Sequence, residues 1–277
     1  MSFFQEGFLY RIFASGKIGN DVFFFVIKPL AILLCCVIIP YLLGSINSAV
    51  IISTKQFRDD IRRHGSGNAG ATNMLRTFGG RGAIPTIVGD AVKAALSMLI
   101  AGACCGFWWA GGFSLQPSDP SLFVLSVGEV PIVTGTYLAG VFCIIGHVFP
   151  IYYRFKGGKG VLCAFVIAAM LNLSVALVLL LVFLILVAFT RYVSLGSVVA
   201  AALYPIFMRP LFRMSGLEPP IYIMLFSFFI AAIIIYKHIP NIKRILDHEE
   251  SKISFRRKEV PSETDPDANT GDGNDNK

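Results

Sequence analysis

The sequence predicts an all-α polytopic membrane protein with about seven transmembrane helices, its N-terminus outside and its C-terminus in the cytoplasm. Of the 277 residues, 55% are hydrophobic and only 15% are charged, which argues against a soluble single-core domain. Long apolar segments alternate with short polar ones, as in a helical membrane bundle. The formal net charge of +7 indicates contact with anionic lipid head groups, and nucleic acid is not implied as a partner.

Composition divides the chain into three parts. Residues 1–28 are rich in aromatic side chains and predict an N-terminal extension that lies at the membrane interface. Residues 29–247 form the predicted membrane domain. Residues 248–277 are a polar acidic tail, which we expect to be disordered. The six cysteines lie within apolar runs, so they predict neither a metal site nor a disulfide framework.

Seven apolar segments predict the spans. The first, about residues 29–54, is long enough to cross roughly 30 Å of hydrocarbon at about 1.5 Å per residue, and Pro40 and Gly44 predict a kink in it. The fourth, residues 161–171, is too short to cross unaided, so we expect it to borrow the preceding turn or to be re-entrant. The other spans cover about residues 83–109, 131–153, 174–190, 198–208 and 220–236.

Two of these spans carry ionisable residues. Asp90 and Lys93 share one helix face, where their opposite charges would partly compensate each other inside the bilayer. A functional role for the pair stays open. His147 lies in the third span, where we favour a packed and hydrogen-bonded histidine.

The distribution of Lys and Arg orients the helices. With the N-terminus outside, the inner segments hold 17 basic residues up to residue 258 and the outer segments hold 5, as the positive-inside rule requires. This orientation brings four polar segments to the cytoplasmic face, where they can converge on one site. These segments are residues 65–76, 154–160, 191–197 and 237–244.

The first polar segment runs from Gly65 to Arg76 and reads Gly-Ser-Gly-Asn-Ala-Gly-Ala-Thr-Asn-Met-Leu-Arg. Glycines let backbone N–H groups face an anion, Ser and Asn supply further donors, and the arginine fork matches phosphate oxygens. We therefore predict a phosphate site here. A glycine-rich loop without a ligand remains an alternative. The dinucleotide fingerprint, which this spacing also matches, lacks its preceding strand.

The next two polar segments combine basic side chains with small residues. Lys156 and Lys159 flank two glycines in a turn that is not a Walker A loop, because Gly follows Lys159 where Ser or Thr is required. A basic turn that serves only topology is the alternative. Arg191 with Ser194 and Ser197 predicts a helix start, whose serines either cap the helix or donate to a ligand.

The last polar segment places His238, Asn241 and Arg244 at every third residue, which predicts one shared helix face. Imidazole exchanges protons readily near neutral pH, and a nearby Asn can orient it or a substrate carbonyl. A solvated or capping histidine is the alternative. Pro240 weakens the shared face, because its ring removes a backbone donor and can kink the helix.

Taken in order, these motifs resemble the bacterial acyl-phosphate:glycerol-3-phosphate acyltransferases, the PlsY family. The resemblance covers about residues 30–247. The stretches that carry it are Gly44-Ser45-Ile46-Asn47, Gly65 to Arg76, Gly146 to Pro150, Phe155 to Val161, Arg191 to Ser197 and His238-x-x-Asn241-Ile-x-Arg244.

This resemblance implies a seven-helix enzyme of the bacterial cytoplasmic membrane, with its active site facing the cytoplasm and residues 29–247 as the acyltransferase domain. The implied reaction moves a fatty acyl group from acyl phosphate to the sn-1 hydroxyl of glycerol 3-phosphate, giving lysophosphatidic acid and phosphate in phospholipid biosynthesis. No cofactor, metal ion, acyl-CoA or obligatory protein partner is implied.

The resemblance also implies roles for individual residues. The implied phosphate ligands are Ser66, Arg76, Lys159 and Ser197, with Asn68, Thr72, Asn73 and Lys156 in the same shell. His238 and Asn241 are implied as the catalytic pair near the reacting acyl group. Because an acyl phosphate is already activated, we expect direct attack by the glycerol hydroxyl, with His238 or a substrate phosphate oxygen taking the proton. Ser66 as an acyl-enzyme nucleophile is the weaker alternative.

A transporter for a phosphorylated solute is the main rival class, because seven spans with Asp90 and Lys93 would also suit a permeation path. It predicts polar groups at both ends of the bundle, whereas the motifs gather at one end. A structural membrane protein with a basic inner surface is the second rival.

Overall fold

The computed structural model describes residue 30 and residues 32–105, 132–214, 219 and 221–253, and the regular structure within these ranges is helical. The N-terminal extension at 1–28, most of the predicted connection between the second and third spans, and the tail beyond residue 253 lie outside the described residues.

The chain forms eight α-helices within the described ranges, together with three shorter helical segments. A π-helical segment, Leu33–Ile38, leads into α1, and 3-10 turns at Ile61–Arg63 and Ile151–Tyr153 follow α2 and α4. The helices are α1 (Ile39–Ser45), α2 (Ser48–Phe57), α3 (Ala71–Cys105), α4 (Ile132–Val148), α5 (Val161–Leu171), α6 (Leu173–Thr190), α7 (Val193–Met214) and α8 (Ile221–Leu246).

These helices match the predicted number of spans. Six helical stretches among the described residues are long and apolar enough to cross a membrane: Leu33–Phe57, Ala71–Cys104, Gly135–Tyr153, Leu173–Thr190, Val193–Met214 and Ile221–Leu246. The apolar helix α5 has only 11 residues and supplies the seventh. The all-α membrane class is therefore confirmed, while the orientation of the termini stays a prediction.

The first span is interrupted at Ile46, two residues after Gly44. Pro40 follows the π-helical segment without a break, because Ile38 and Ile39 keep helical φ and ψ, and Gly44 lies inside the same helix. The helix ends at Ser45, Ile46 is extended, and the side chain of Asn47 caps α2 by accepting from the N–H of Val50 over 3.0 Å.

The helix α3 begins twelve residues before the second predicted span. It starts at Ala71, so the second half of the glycine-rich segment is helical rather than loop. Gly79 has φ of +67° and ψ of −161°, which divides α3 into a short first part and a long apolar second part. The predicted phosphate motif therefore presents Thr72, Asn73 and Arg76 from the opening turns of a helix.

The bundle packs as two groups of helices joined by α5. On one side α1, α3 and α4 contact one another, and on the other α7 packs against both α6 and α8. The short helix α5 contacts α3, α4 and α6, while α8 also contacts α4. The space that remains among α3, α5, α6, α7 and α8 is the site described below.

A charge cluster is buried where α3 and α4 meet. Lys93 Nζ lies 2.8 Å from Asp90 Oδ1, 2.8 Å from the carbonyl oxygen of Ile46 and 2.8 Å from His147 Nδ1. Because an ammonium group only donates, His147 Nδ1 accepts, which leaves the proton of the neutral ring on Nε2. The cluster supports the structural interpretation of Asp90 and Lys93 and the packed interpretation of His147. The break at Ile46 supplies one of the acceptors.

Candidate active site

A cavity of about 410 Å³ lies among the helices and has chemically different ends. The four predicted polar segments meet at one end. The polar residues that line this end are Ser66, Asn68, Thr72, Asn73, Arg76, Lys159, Ser194, Ser197, His238, Asn241 and Glu250. Asp90 and His147 also reach the lining, so the buried charge cluster borders the same space.

Asn73 builds the loop that carries Ser66 and Asn68. Its Oδ1 accepts from the N–H of Ser66 over 3.2 Å, and its Nδ2 donates to the carbonyls of His64 and Asn68 over 2.9 and 3.1 Å. Gly65 has φ of +55°, and a Cβ there would overlap Asn73 Oδ1, so the tight approach needs glycine. Both ends of the Asn73 amide thus hold the backbone, and its predicted contact with substrate stays a prediction.

A chain of hydrogen bonds joins three of the converging segments. Lys159 Nζ donates to Asn241 Oδ1 over 2.6 Å, and Asn241 Nδ2 donates to Glu250 Oε1 over 2.7 Å. Glu250 also accepts from Ser194 Oγ over 2.8 Å and from Arg244 Nε over 2.8 Å. The Glu250 carboxylate therefore holds Asn241, Ser194 and Arg244 in place, and Asn241 in turn holds Lys159.

Charge and burial shift the pKa values of two groups in this chain. Burial lowers the pKa of the Lys159 ammonium to about 8, with Glu250 opposing the change and the positive charges of Arg244 and Arg76 adding to it. Burial acts to raise the pKa of Glu250, but hydrogen bonds from Arg244, Asn241 and Ser194 outweigh it, so the pKa lies below its usual range.

The turn that carries Lys159 is packed against His147. The N–H of Gly158 donates to the carbonyl of His147 over 3.1 Å. A Cβ on Gly157 would overlap that carbonyl oxygen, and a Cβ on Gly158 would overlap the ring nitrogen Nε2. The two glycines are therefore needed for close approach. Lys156, which was also predicted to bind phosphate, is exposed and does not line the cavity.

His238 lies at the polar end with a defined proton arrangement. Its Nδ1 is 2.7 Å from the carbonyl oxygen of Ile234, and it must donate there because a carbonyl only accepts. The neutral ring then carries a free lone pair on Nε2, as a proton acceptor requires. The helix α8 continues through Pro240, so His238 and Asn241 keep a shared face, and both are buried in the cavity lining.

Arg76 and Ser197 border the cavity but also have partners within the protein. Arg76 Nη2 donates to the carbonyl of Ser251 over 2.7 Å. Ser197 Oγ donates to the carbonyl of Val193 over 2.8 Å, so it has to rotate before it can donate to a phosphate. Among the described residues, no ion pair with a carboxylate is found for Arg76, so the charge of its guanidinium is available to a bound anion.

Glu250 is the residue of the site that the sequence did not reveal. Its acidic surroundings placed it with the polar tail, yet residues 247–253 fold back over the polar end. The N–H of Ile253 donates to the carbonyl of Arg191 over 2.9 Å, and Lys252 lies over the ring of Tyr192. The apolar residues Ile253 and Phe255, within an otherwise polar stretch, were the available signal. The boundary at residue 248 stays a prediction.

The other end of the cavity is apolar. Leu162, Phe165 and Ala168 line it from α5, and Ile234 lines it from α8. The remaining apolar lining comes from Ile87, Leu179, Leu180, Phe183, Ala200, Ala201 and Tyr204. A membrane bundle whose cavity joins basic and amide side chains to an apolar chamber is of the class that can hold an amphipathic molecule with an anionic head group.

The chain belongs to the glycerol-3-phosphate acyltransferase family, whose family model matches residues 34–248. A glycerol-3-phosphate acyltransferase from Clostridioides difficile (strain 630) is 35% identical over 220 residues, which is 79% of this chain and 95% of the relative. The corresponding protein of Syntrophomonas wolfei is 36% identical over 224 residues, 81% of this chain and 96% of the relative. The chain is therefore an acyltransferase, and the transporter and purely structural alternatives are set aside.

Two solved structures share the fold. Both are crystal structures of PlsY (YgiH), described as an integral membrane glycerol 3-phosphate acyltransferase. The glycerol 3-phosphate form has a TM-score of 0.64 and 31% identity, and the match covers 80% of this chain and 96% of that one. The lysophosphatidic acid form has a TM-score of 0.61 and 29% identity, covering 80% and 95%.

Proposed function

We propose that this chain transfers a fatty acyl group from an acyl phosphate to the sn-1 hydroxyl of glycerol 3-phosphate, giving lysophosphatidic acid and inorganic phosphate. The observation that carries the proposal is the two-ended cavity, whose basic end suits phosphate and whose apolar end suits a fatty chain. Family membership supports the acceptor, and a solved relative is described in a glycerol 3-phosphate form.

Acyl phosphate as the donor fits the same geometry. Its phosphate would lie beside Arg76 and Lys159, whose positive charges stabilise the charge on the leaving phosphate. Its carbonyl carbon would then lie at the boundary between the two ends of the cavity, close to His238. Substrate contacts from Ser66, Asn68, Thr72 and Ser197, which line the cavity and carry donor atoms, complete the proposed polar end.

We favour direct attack in a single transfer. The sn-1 oxygen forms the new ester bond to the carbonyl carbon, the bond from that carbon to the phosphate oxygen breaks, and the phosphate leaves with its electron pair. The hydroxyl proton goes to His238 Nε2 or to a substrate phosphate oxygen. Within the described residues, neither an imidazole nor a carboxylate is hydrogen-bonded to the Ser66 hydroxyl, which weighs against an acyl-serine intermediate.

The proposed setting is the bacterial cytoplasmic membrane, with the polar end of the cavity opening to the cytoplasm. Glycerol 3-phosphate is charged and water-soluble, so it would enter from the aqueous side. The membrane lipids would surround the apolar faces of the helices. The orientation rests on the excess of Lys and Arg in the predicted inner segments.

The test is an assay of the purified protein in phospholipid vesicles with palmitoyl phosphate and labelled glycerol 3-phosphate. We expect equimolar lysophosphatidic acid and phosphate, no product from palmitoyl-CoA, and no turnover in Arg76→Ala or Lys159→Ala. Arg81→Ala is the matched control, because Arg81 is exposed and does not line the cavity. Uptake of label without product would instead indicate a carrier, and an acyl group trapped on Ser66 would overturn direct attack.

A further inference from the structure

We infer that Tyr204 ends the acyl compartment and thereby sets the acyl-chain length that this enzyme prefers. This inference rests on the proposed function and names the feature that selects among its donors. The residues that line the cavity change in character along the helices. On α7 and α8 most lining residues near the polar segments are polar or small, and those farther along are apolar, while the lining residues of α5 and α6 are apolar along their whole length.

This gradient gives the compartment a direction. The deepest lining residues on these helices are Ala168, Leu179, Tyr204 and Ile234. An acyl chain that starts at the polar end therefore runs roughly parallel to the helices. On α7 the lining positions Ser197, Ala200, Ala201 and Tyr204 share one face, because they are spaced by three, four and seven residues.

Tyr204 is the first large side chain on that face. Ser197, Ala200 and Ala201 leave room beside the helix, and Ser197 and Tyr204 are separated by about 10 Å of helix rise. The aromatic ring therefore closes a passage that the smaller residues keep open. A chain that fits within this length gains apolar contact with every added methylene, and a longer chain meets the ring.

The ring is fixed in place by its surroundings. Its hydroxyl is 3.0 Å from the hydroxyl of Tyr137, which is fully buried and packs edge-on against Phe226 at 5.7 Å between ring centroids. Met208, one turn farther along α7, is 1% exposed and belongs to the same core. Two buried hydroxyls that satisfy each other resist displacement, because separating them leaves both unpaired in an apolar interior.

The experiment compares acyl phosphates of increasing length, from octanoyl through decanoyl, lauroyl and myristoyl to palmitoyl and stearoyl phosphate. For donors offered from water we expect kcat/KM to rise by up to about four-fold per buried methylene and then to level off where the chain reaches Tyr204. Donors dissolved in vesicle lipid, whose tails are already out of water, should show the same plateau with a smaller slope. In Tyr204→Ala the rise should continue to longer chains, so that the longest donors gain roughly ten-fold or more relative to the shortest.

Two controls separate the volume of the ring from its hydrogen bond and from folding. The double variant Tyr137→Phe with Tyr204→Phe removes both hydroxyls but keeps both rings, so its profile should match the wild type. Ala200→Leu adds bulk nearer to the polar end and should move the plateau to shorter chains, which tests the compartment even where Tyr204→Ala fails to fold.

The outcomes are distinguishable from those of the proposed function. Absence of product with every acyl phosphate would overturn the proposed reaction itself. Product formation with the same plateau in wild type, Tyr204→Ala and Ala200→Leu would overturn the role of Tyr204 alone. A profile shifted by the double phenylalanine variant would also overturn it, because the hydroxyl pair rather than the ring would then control chain length.

Discussion

Lys159 Nζ donates a 2.6 Å hydrogen bond to Asn241 Oδ1, across 82 positions of sequence. The bond joins the turn before α5 to the far end of α8. Because the other end of the same amide donates to Glu250, the lysine is aimed by a side chain that is itself fixed. The position of the positive charge in the site therefore depends on α8 and on the segment that follows it.

Asn241→Ala should lower kcat/KM by about 10- to 100-fold, because it removes a hydrogen bond to a charged group worth about 1.5–3 kcal/mol. The measurement is steady-state acyl transfer in vesicles. Lys243→Ala is the matched control on α8, since Lys243 is exposed and does not line the cavity. Equal activity of Asn241→Ala and wild type would show that Lys159 needs no such support.

The activity should fall as the pH rises through about 8. The pKa of Lys159 is lowered to about 8 by burial, so the ammonium proposed to attract phosphate is present below that pH and is lost above it. Bound phosphate would move this alkaline decrease in activity to higher pH. The quantity to measure is therefore kcat/KM, which reports the free enzyme. In Lys159→Arg the side chain stays charged, and the alkaline limb should disappear. If kcat/KM of Lys159→Arg still fell at high pH, the decrease would have to come from the titration of another group.

Glu250→Ala should lower the free energy of unfolding by about 2–3 kcal/mol, because Arg244, Asn241 and Ser194 each lose an acceptor in a largely buried position. Thermal unfolding in detergent measures it. Glu249→Ala is the neighbouring control, since Glu249 is exposed. Because the pKa of Glu250 is lowered, its contribution is present above the usual carboxyl range and is lost as the pH falls through the lowered value.

Gly158→Ala should reduce turnover by at least about ten-fold, because a methyl group there overlaps the His147 ring and forces the turn that carries Lys159 to move. The same assay measures the loss. Gly80→Ala is the control, since the nearest atom to its added Cβ would be Ile84 Cδ1 at 3.8 Å, an ordinary contact. Full activity in Gly158→Ala would mean that the turn adapts without moving the lysine.

Breaking the buried ion pair should be more damaging than removing both charges. Lys93→Met leaves Asp90 uncompensated beside His147 and should destabilise the protein by about 3–5 kcal/mol. Asp90→Asn combined with Lys93→Gln should recover most of that loss. The fraction of monodisperse protein after graded heating measures both. If the destabilisation of the double variant equalled the sum of the two single-variant losses, the two charges would not compensate each other.

The number of spans and the convergence of the polar segments could be predicted, because both depend on the amino-acid composition of short stretches of sequence. Apolar length fixes a span, and glycine with basic residues marks the turns at one end. The roles of individual side chains in the site could not be predicted, because they depend on which polar atoms already have hydrogen-bond partners within the protein. Asn73 and Glu250 are engaged with the protein itself, which only packing reveals.

The locations of the helix breaks were also beyond reach of sequence rules. Pro40 and Gly44 predicted a kink in the first span and Pro240 one in the last helix, and all three lie inside helices. The chain opens instead at Ile46, whose carbonyl accepts from Lys93, and turns at Gly79 within α3. The position of a helix break depends on tertiary contacts that supply partners for the backbone groups left without an intrahelical hydrogen bond.

The shortness of α5 has a consequence for how the two substrates meet. The helices α5 and α6 join at Asn172, but α5 has 11 residues and α6 has 18, a difference of about 10 Å in helix rise. Measured along the helix axes from Asn172, the turn with Lys159 therefore lies nearer to this junction than the end of α6 does. Under the proposed function, this arrangement would let a fatty donor reach the turn by lateral diffusion without lifting its tail into water, which would oppose the reaction by about 0.8 kcal/mol per methylene. The soluble acceptor would enter from the aqueous side.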